Sequence, residues 1–226
     1  MSILPEAFDW PGDPPVRGFL HRPENAIHKT LILTHGAGSN CQAPLLVALA
    51  GKFAEAGFTV LRCDLPFRQA RPLGPPRPGD AARDREGLRR AVEAMLALSP
   101  GEIYLGGHSY GGRQATMLAA DSPLLVRGLL LLSYPLHPPR KPEQLRTQHF
   151  PRLNTPAVFV HGARDPFASI PELEDALRLI PALAKLFAIE GAGHDLGVSR
   201  KTKNDELPTK ILGAFQEEFP RPTRLL

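Results

Sequence analysis

The run Gly-His-Ser-Tyr-Gly-Gly at residues 107–112 constrains this chain more than any other stretch. It follows the apolar residues 103–105 and precedes a segment whose composition is typical of a helix. A Gly-x-Ser-x-Gly sequence between a strand and a helix predicts a sharp turn that raises the serine above the end of a sheet. Glycines at 107 and 111 keep side chains out of the tight crossing. The run therefore predicts Ser109 as an exposed nucleophile at a helix N-terminus.

Strand-like and helix-like segments alternate along the 226 residues, with no internal repeat or clear linker between them. Such alternation predicts an α/β fold, a mostly parallel, doubly wound sheet with helices on both faces. The expected strands cover residues 16–21, 30–34, 58–62, 103–105, 128–132, 157–160 and 183–189, and the first is an edge strand. The expected helices lie at residues 44–56, around 88–96, and at 109–120, 171–179 and 206–219. We predict a single domain across residues 1–226, with a core from about residue 16 to residue 219.

The composition excludes several classes of protein. Hydrophobic residues make up 42% of the chain and charged residues 22%, which fits neither a disordered nor a membrane protein. Cys41 and Cys63 are too few for a disulfide framework or a metal site, so we expect reduced thiols and a cytoplasmic location. The first residues lack the basic and apolar regions of a secretory signal, and no apolar run is long enough to span a bilayer.

Basic residues are concentrated in one segment. The chain has a formal net charge of +4, and residues 66–90 hold seven arginines against Asp80, Asp84 and Glu86. A nucleic-acid-binding protein shows a basic face interleaved with base-reading residues, whereas this excess lies in a proline-rich loop and the start of a helix. We therefore expect neither a nucleic-acid partner nor a membrane partner. Arg68 is a candidate for binding an anionic substrate, and the alternative is that Asp64 fixes it within the loop.

Polar residues follow three further predicted strands. His35-Gly36-Ala37-Gly38 follows the first buried strand, Asp165 lies just after the strand ending at residue 160, and His194 follows the strand ending at residue 189. Open α/β sheets bind ligands at the carboxyl ends of their strands, so these segments are expected to meet near Ser109. Among the other histidines, we expect His35 and His161 to shape their loops and His108 to pack inside the elbow. Asp80 is a candidate N-cap for the helix around residues 88–96.

Ser109, Asp165 and His194 form a candidate catalytic set. A serine hydroxyl needs an adjacent base to become nucleophilic at neutral pH, and His194 would supply it. Asp165 would hold the imidazole in the correct tautomer, and Asp195 is the competing acid. The backbone N–H groups of Ala37 and Tyr110 are candidates for an oxyanion hole. The order serine, aspartate, histidine along the chain is the order expected for nucleophile-elbow hydrolases.

These residues resemble those of α/β-hydrolase-fold serine hydrolases, over about residues 16–219. The chain length looks most like the dienelactone-hydrolase-like branch, although the founding enzymes of that branch have cysteine at the position of Ser109. The sequence Leu-Pro-Phe-Arg-Gln at residues 65–69, with Pro-Gly-Asp at 78–80 and Arg-Asp at 83–84, is also similar to the hydrolase-like domains of subunits of a chromatin complex (NSL-type) and of their testis-expressed relatives. The resemblance implies a serine hydrolase that needs no metal or organic cofactor and acts on a small ester, thioester or related acyl compound.

Two alternatives stay open from the sequence. The chain could be an interaction protein that keeps the hydrolase fold without its chemistry, although none of the three candidate catalytic residues is missing. Residues 134–153, which are rich in proline, are either a small lid or an ordinary surface connection. The acyl group, the leaving group and the oligomeric state are not specified by the sequence.

Overall fold

The computed structural model describes residues 4–198 and 206–220. Eight strands form one sheet in the order β1-β2-β4-β3-β5-β6-β7-β8. The strands are β1 (Glu6–Trp10), β2 (Val16–His21), β3 (Lys29–Thr34), β4 (Thr59–Cys63), β5 (Glu102–His108), β6 (Gly128–Leu132), β7 (Ala157–Gly162) and β8 (Ala184–Ile189). β1 and β2 are antiparallel to their neighbours, and the pairs from β4 through β8 are all parallel.

Helices connect the parallel strands. They are α1 (Pro44–Glu55), α2 (Pro66–Ala70), α3 (Asp80–Leu98), α4 (Tyr110–Asp121), α5 (Ile170–Leu177) and α6 (Leu207–Glu218), with a short 3₁₀ helix at Phe150–Arg152. Proline at the first position of α1 suits a helix start, where its missing N–H costs no hydrogen bond. Gly57, with a φ of +96°, supplies the left-handed residue that follows this helix. The predicted α/β fold class is confirmed.

Two hydrophobic cores cover the two faces of the sheet. One is formed mainly by side chains of α3, α4 and α5 against the sheet, and the other by side chains of α1 and α6. All six residues of β3 and all five of β6 are buried. Central parallel strands are covered by helices on both faces, which explains the apolar runs at residues 31–33 in β3 and 129–132 in β6.

Four sequence-based expectations differ from the structure. β2 is not an edge strand, because β1 pairs along its outer side. α2 lies inside the proline-rich segment that was expected to be a loop. Gly79 caps α3, and Asp80 begins the helix with its carboxylate accepting hydrogen bonds from the Arg77 amide and the Arg71 guanidinium.

The fourth difference lies on α3, where Glu86 and Arg90 are four residues apart, a spacing from which the sequence predicts a salt bridge between them. Glu86 instead pairs with Arg89, while the guanidinium of Arg90 donates to the carbonyl of Pro11. Helical spacing allows Glu86 to pair with either arginine. Arg90 instead contacts the N-terminal segment beside α3, and Glu86 pairs with Arg89.

The two cysteines are buried and free. Burial raises the pKa of the Cys41 thiol to about 12 and raises that of Cys63 further. Protonated thiols are poor nucleophiles and poor metal ligands, so both side chains act as small apolar groups in the core.

Within the described ranges, no helix is long and apolar enough to cross a membrane.

Buried histidines make the fold sensitive to acid. Burial lowers the pKa of His21, His108 and His149 to about 4, with nearby arginines adding to the effect at His21 and His149. Between about pH 6.5 and pH 4 the unfolded chain binds more protons at these rings than the folded chain does, so stability is lost as the pH falls through that window.

We therefore expect the free energy of unfolding to drop by roughly 2–5 kcal/mol between about pH 7 and pH 5. Urea denaturation at a series of pH values measures it. His149→Gln, which can still bond to the Thr116 hydroxyl that His149 contacts, should flatten the dependence. A free energy of unfolding that stays constant over this range would contradict the expectation.

Candidate active site

The turn between β5 and α4 holds Ser109 in a strained conformation. Its φ of +50° and ψ of −114° lie in a region that residues with side chains rarely occupy. The two elbow glycines are needed as expected: a Cβ on Gly107 would lie 2.7 Å from the backbone of Gly111, and one on Gly111 would lie 2.6 Å from the His35 carbonyl oxygen. The Ser109 amide donates to the Leu132 carbonyl of neighbouring β6 at 2.8 Å, which anchors the turn.

The loops after β7 and β8 are joined through their backbones. The amide of Ala163 donates to the Ile189 carbonyl at 3.0 Å, and the amide of Arg164 donates to the Ala192 carbonyl at 2.8 Å. Gly162 permits this close approach, because a Cβ there would meet the Ala192 carbonyl oxygen at 2.6 Å. The connection places the residues at 165 and 194 on adjoining loops.

The structure brings Ser109, His194 and Asp165 into one hydrogen-bonded chain. His194 Nε2 lies 2.9 Å from Ser109 Oγ, and His194 Nδ1 lies 2.8 Å from Asp165 Oδ2. The Asp165 carboxylate has no solvent-exposed surface, and its second oxygen accepts the Phe167 amide at 2.9 Å. Since a carboxylate only accepts hydrogen bonds, His194 Nδ1 must carry the proton, which leaves Nε2 to accept from the serine hydroxyl.

Two aromatic rings hold the imidazole of His194 in place. The Phe167 ring packs against it with centroids 4.3 Å apart, and the His108 ring lies 5.0 Å away. His108 Nε2 also donates to the His194 carbonyl at 2.8 Å. His108 therefore packs inside the elbow as expected, and it fixes the backbone of the histidine loop. Sequence reasoning gave no role to Phe167; its place directly after Asp165-Pro166 was the one available signal.

The loop that carries Ala37 is a tight turn held from within. The Ser39 amide donates to the Gly36 carbonyl at 3.1 Å, and His35 Nδ1 donates to the same carbonyl at 2.9 Å. His35 Nε2 accepts the Leu65 amide at 3.1 Å, so the ring joins this loop to the one after β4. Burial lowers the pKa of His35, which fits its neutral role as donor on one side and acceptor on the other.

Arg68 holds the same loop from outside, and its hydrogen bonds favour a role within the loops over its expected role in binding an anionic substrate. Its guanidinium donates to four backbone carbonyls, those of Ser39 at 2.7 Å, Ala37 at 2.9 Å, Gly74 at 3.0 Å and Arg71 at 3.2 Å. A guanidinium has five N–H groups, so a single donor is left over. Asp64 is not its partner either: that carboxylate accepts the Cys41 amide. Arg68 thus connects the loops after β3 and β4 through hydrogen bonds to their backbone carbonyls.

A buried network fixes the residue that follows Ser109. The Tyr110 hydroxyl donates to Asp84 Oδ2 at 2.7 Å, and Asp84 Oδ1 accepts the Phe67 amide at 2.9 Å. The Phe67 ring meets the Tyr110 ring edge-on at 5.7 Å. Asp84 is completely buried, and burial raises its pKa. The carboxylate thus joins α2, α3 and the start of α4 behind the elbow.

The Asp195 carboxylate accepts the Gly197 amide at 2.9 Å within its own loop. His161, the other histidine expected to shape a loop, donates from Nε2 to the Ala168 carbonyl at 3.0 Å. Among the described residues, no group of three or more His, Cys, Asp or Glu side chains is placed to hold a metal ion.

Comparison with known proteins agrees with this architecture. The sequence matches the alpha/beta hydrolase domain family over residues 27–216. The chain belongs to this family. It is 25% identical over 199 residues to the rat protein ABHD14B, named as a candidate protein-lysine deacylase, with 87% of this chain and 88% of the rat protein covered.

Solved structures share the fold. A dienelactone hydrolase from Anabaena variabilis superposes with a TM-score of 0.75 at 21% identity, covering 97% of this chain and 98% of the other. XC6422 from Xanthomonas campestris, described as a serine hydrolase without a lid, gives a TM-score of 0.72 at 18% identity, with 94% of each chain covered. The similarity of residues 65–84 to domains of chromatin-complex subunits stays a prediction.

Proposed function

We propose that this protein is a serine hydrolase that cleaves a small ester, thioester or related acyl compound through an acyl-enzyme on Ser109. The observation that carries the proposal is the hydrogen-bonded chain from Ser109 Oγ through His194 to the buried carboxylate of Asp165. A histidine between a serine and a carboxylate, with both bonds shorter than about 3.2 Å, is the arrangement that activates a hydroxyl.

In the acylation step His194 Nε2 accepts the Ser109 proton as Oγ attacks the substrate carbonyl. Asp165 stabilises the imidazolium that forms and keeps the His194 ring in its orientation. The imidazolium then returns the proton to the leaving group. In the second half-reaction His194 Nε2 removes a proton from the water that attacks the acyl-serine. The imidazolium then returns that proton to Ser109 Oγ as the bond between the acyl group and Oγ breaks and the acid is released.

The developing oxyanion would be held by the backbone N–H groups of Ala37 and Tyr110. Donors that are fixed before reaction stabilise charge without having to reorganise during it. The hydrogen bonds around these two residues support this role: Arg68 and His35 fix the Ala37 loop, and Asp84 fixes Tyr110.

We propose that residues 134–153 are a small lid, and the alternative is an ordinary surface connection. The segment is anchored at both ends, because Tyr134 and Phe150 are buried and their rings are in contact. The backbone amide of His137 donates to the carbonyl of Phe167, the residue whose ring packs on His194.

The rat relative's name suggests amide-linked acyl groups as a second substrate class. Assays with acylated lysine peptides beside esters test this possibility.

Ser109→Ala should abolish covalent labelling by a serine-reactive phosphonate and lower kcat by up to ~10⁶-fold. The fold should remain, because alanine keeps the Cβ that the elbow already accommodates. Mass spectrometry of the labelled protein and ester hydrolysis measure the two effects. Undiminished hydrolysis by the purified variant would show that the nucleophile lies elsewhere, and labelling of neither form would favour the non-catalytic alternative.

Asp165→Asn should lower kcat by about 10⁴-fold, since asparagine cannot hold the imidazole tautomer that the serine needs. Asp195→Asn is the matched control, because that carboxylate contacts its own loop. Its effect on kcat should be less than about tenfold. A larger loss from Asp195→Asn than from Asp165→Asn would reverse the assignment.

Arg68→Ala should lower kcat/KM for neutral and for carboxylate-bearing esters by the same factor, roughly tenfold to hundredfold, because it loosens the loop that carries an oxyanion donor. Arg83→Ala, which removes the same charge from an exposed ion pair with Asp13, is the control and should change neither rate. A loss confined to the carboxylate-bearing ester would restore Arg68 as a substrate-binding residue.

A further inference from the structure

Three half-buried arginines lie beside the first turns of α4 without a carboxylate partner. Arg85 is on α3, Arg113 is on α4, and Arg146 is in the segment of residues 134–153. Within the ranges that the structure describes, no aspartate or glutamate forms an ion pair with any of them. We call these three residues the arginine cluster.

Hydrogen bonds bring the three segments of the cluster together. The Arg85 guanidinium donates to Gln114 Oε1 at 3.2 Å, which joins α3 to α4. His149 Nε2 donates to Thr116 Oγ1 at 2.8 Å, and the Thr116 hydroxyl donates to the Arg113 carbonyl at 2.8 Å. The segment 134–153 is thereby joined to the same turns of α4. The cluster lies where α3, α4 and this segment pack against one another.

The guanidiniums of Arg113 and Arg146 are close enough to repel each other. Burial and the positive charge of Arg113 lower the pKa of Arg146. The Arg146 guanidinium donates to the carbonyl of Pro135 at 3.3 Å, and that acceptor is neutral. Like charges in a partly buried place cost free energy unless a negative charge offsets them.

The ring of His149 lies in the field of the same charges. Burial lowers its pKa to about 4; Arg113 and Arg152 add to the effect, Asp121 opposes it and Arg85 adds to it again. Arg152 is paired with Asp121 at 3.3 Å. The charges of Arg113 and Arg85 stay uncompensated, so the net field around the ring is positive.

Two buried donors beside the cluster have no partner. Arg113 Nε and Gln114 Nε2 form no hydrogen bond with any residue that the structure describes, and Gln114 is completely buried. Buried donors in folded proteins are nearly always hydrogen-bonded. Water could satisfy these two donors, but only an anion would also offset the charge of the cluster.

We propose that the arginine cluster binds a phosphate group, either free phosphate or the phosphate of a small monoester. The unused donors at this place are N–H groups, which suit a group that only accepts hydrogen bonds. Guanidinium groups match the oxygens of phosphate, and phosphate offers acceptors toward donors that come from three different segments. The bound group would join the segment 134–153 to α4. This inference goes beyond the proposed hydrolysis and does not depend on it.

Isothermal titration calorimetry of the whole chain at low ionic strength, where charges are weakly screened, measures binding of inorganic phosphate, phenyl phosphate and malonate. Wild type should bind one phosphate ion per chain, and should bind it more tightly than malonate, whose carboxylates are planar. Phenyl phosphate distinguishes the two sources of the group. Tighter binding than that of free phosphate indicates a monoester, and equal or weaker binding indicates free phosphate.

Arg113→Gln and Arg146→Gln should each weaken phosphate binding at least about tenfold, because each removes charge-assisted donors. Arg113→Lys keeps the charge but loses the planar fork, and should weaken binding about threefold or more. Arg178→Gln is the matched control, because it removes the same charge from an exposed ion pair with Asp175 on α5. It should bind phosphate as wild type does, and so should Ser109→Ala, whatever the outcome for hydrolysis.

Thermal denaturation in phosphate-free buffer separates binding from a structural role. Since Arg113→Gln removes one of two repelling charges, the variant should be at least as stable as wild type. Added phosphate should raise the Tm of wild type and leave that of Arg113→Gln unchanged.

The absence of saturable phosphate binding by wild type would overturn the proposal. An equal loss of affinity in Arg178→Gln would overturn it too, because the attraction would then come from net charge alone. Tighter binding of malonate than of phosphate would contradict the assignment to phosphate. A lower Tm of Arg113→Gln in phosphate-free buffer, with unchanged phosphate affinity, would show that the arginine is structural.

Discussion

Parallel pairing of β3, β5, β6, β7 and β8 is the constraint on which the site depends. Parallel strands end at a common edge, and the loops after β3, β5, β7 and β8 carry Ala37, Ser109, Asp165 and His194. Backbone pairing thereby brings residues up to 157 positions apart in sequence to the same edge of the sheet. The hydrogen bonds of the site then require only local adjustments, such as the strained backbone of Ser109.

Several buried polar side chains near the site form hydrogen bonds that fix the backbone of the surrounding loops. The Arg68 guanidinium donates four hydrogen bonds to backbone carbonyls of two loops. The His35 ring connects two loops, and the Asp84 carboxylate connects three helices. A buried polar or charged group without partners is strongly destabilising, and each of these three side chains has hydrogen-bond partners in its surroundings. Their combined effect is to fix the Ala37 and Tyr110 peptides before a substrate arrives, which is the property an oxyanion hole requires.

The sequence predicted the fold and the grouping of Ser109, Asp165 and His194 because both follow from strand order and from the glycine-rich elbow. Features set by tertiary contacts were harder to infer. Arg68 looked available for a substrate, but its environment consists of carbonyls from residues 31 and 29 positions away. Phe167 and Asp84 carry no local motif, since their roles appear only when distant loops meet. β1 was missed because its side chains are half-buried or exposed at the sheet edge, which weakens the alternation that indicates a strand.

Trapping the acyl intermediate tests whether Ser109 is the nucleophile. The enzyme is mixed with a p-nitrophenyl ester, quenched with acid within milliseconds, digested and examined by mass spectrometry, with hydrolysis carried out in ¹⁸O-labelled water. We expect the peptide containing Ser109 to gain the mass of the acyl group during turnover, and one ¹⁸O atom to appear in the released acid. Turnover without an acylated Ser109, or with the acyl group on another residue, would contradict it.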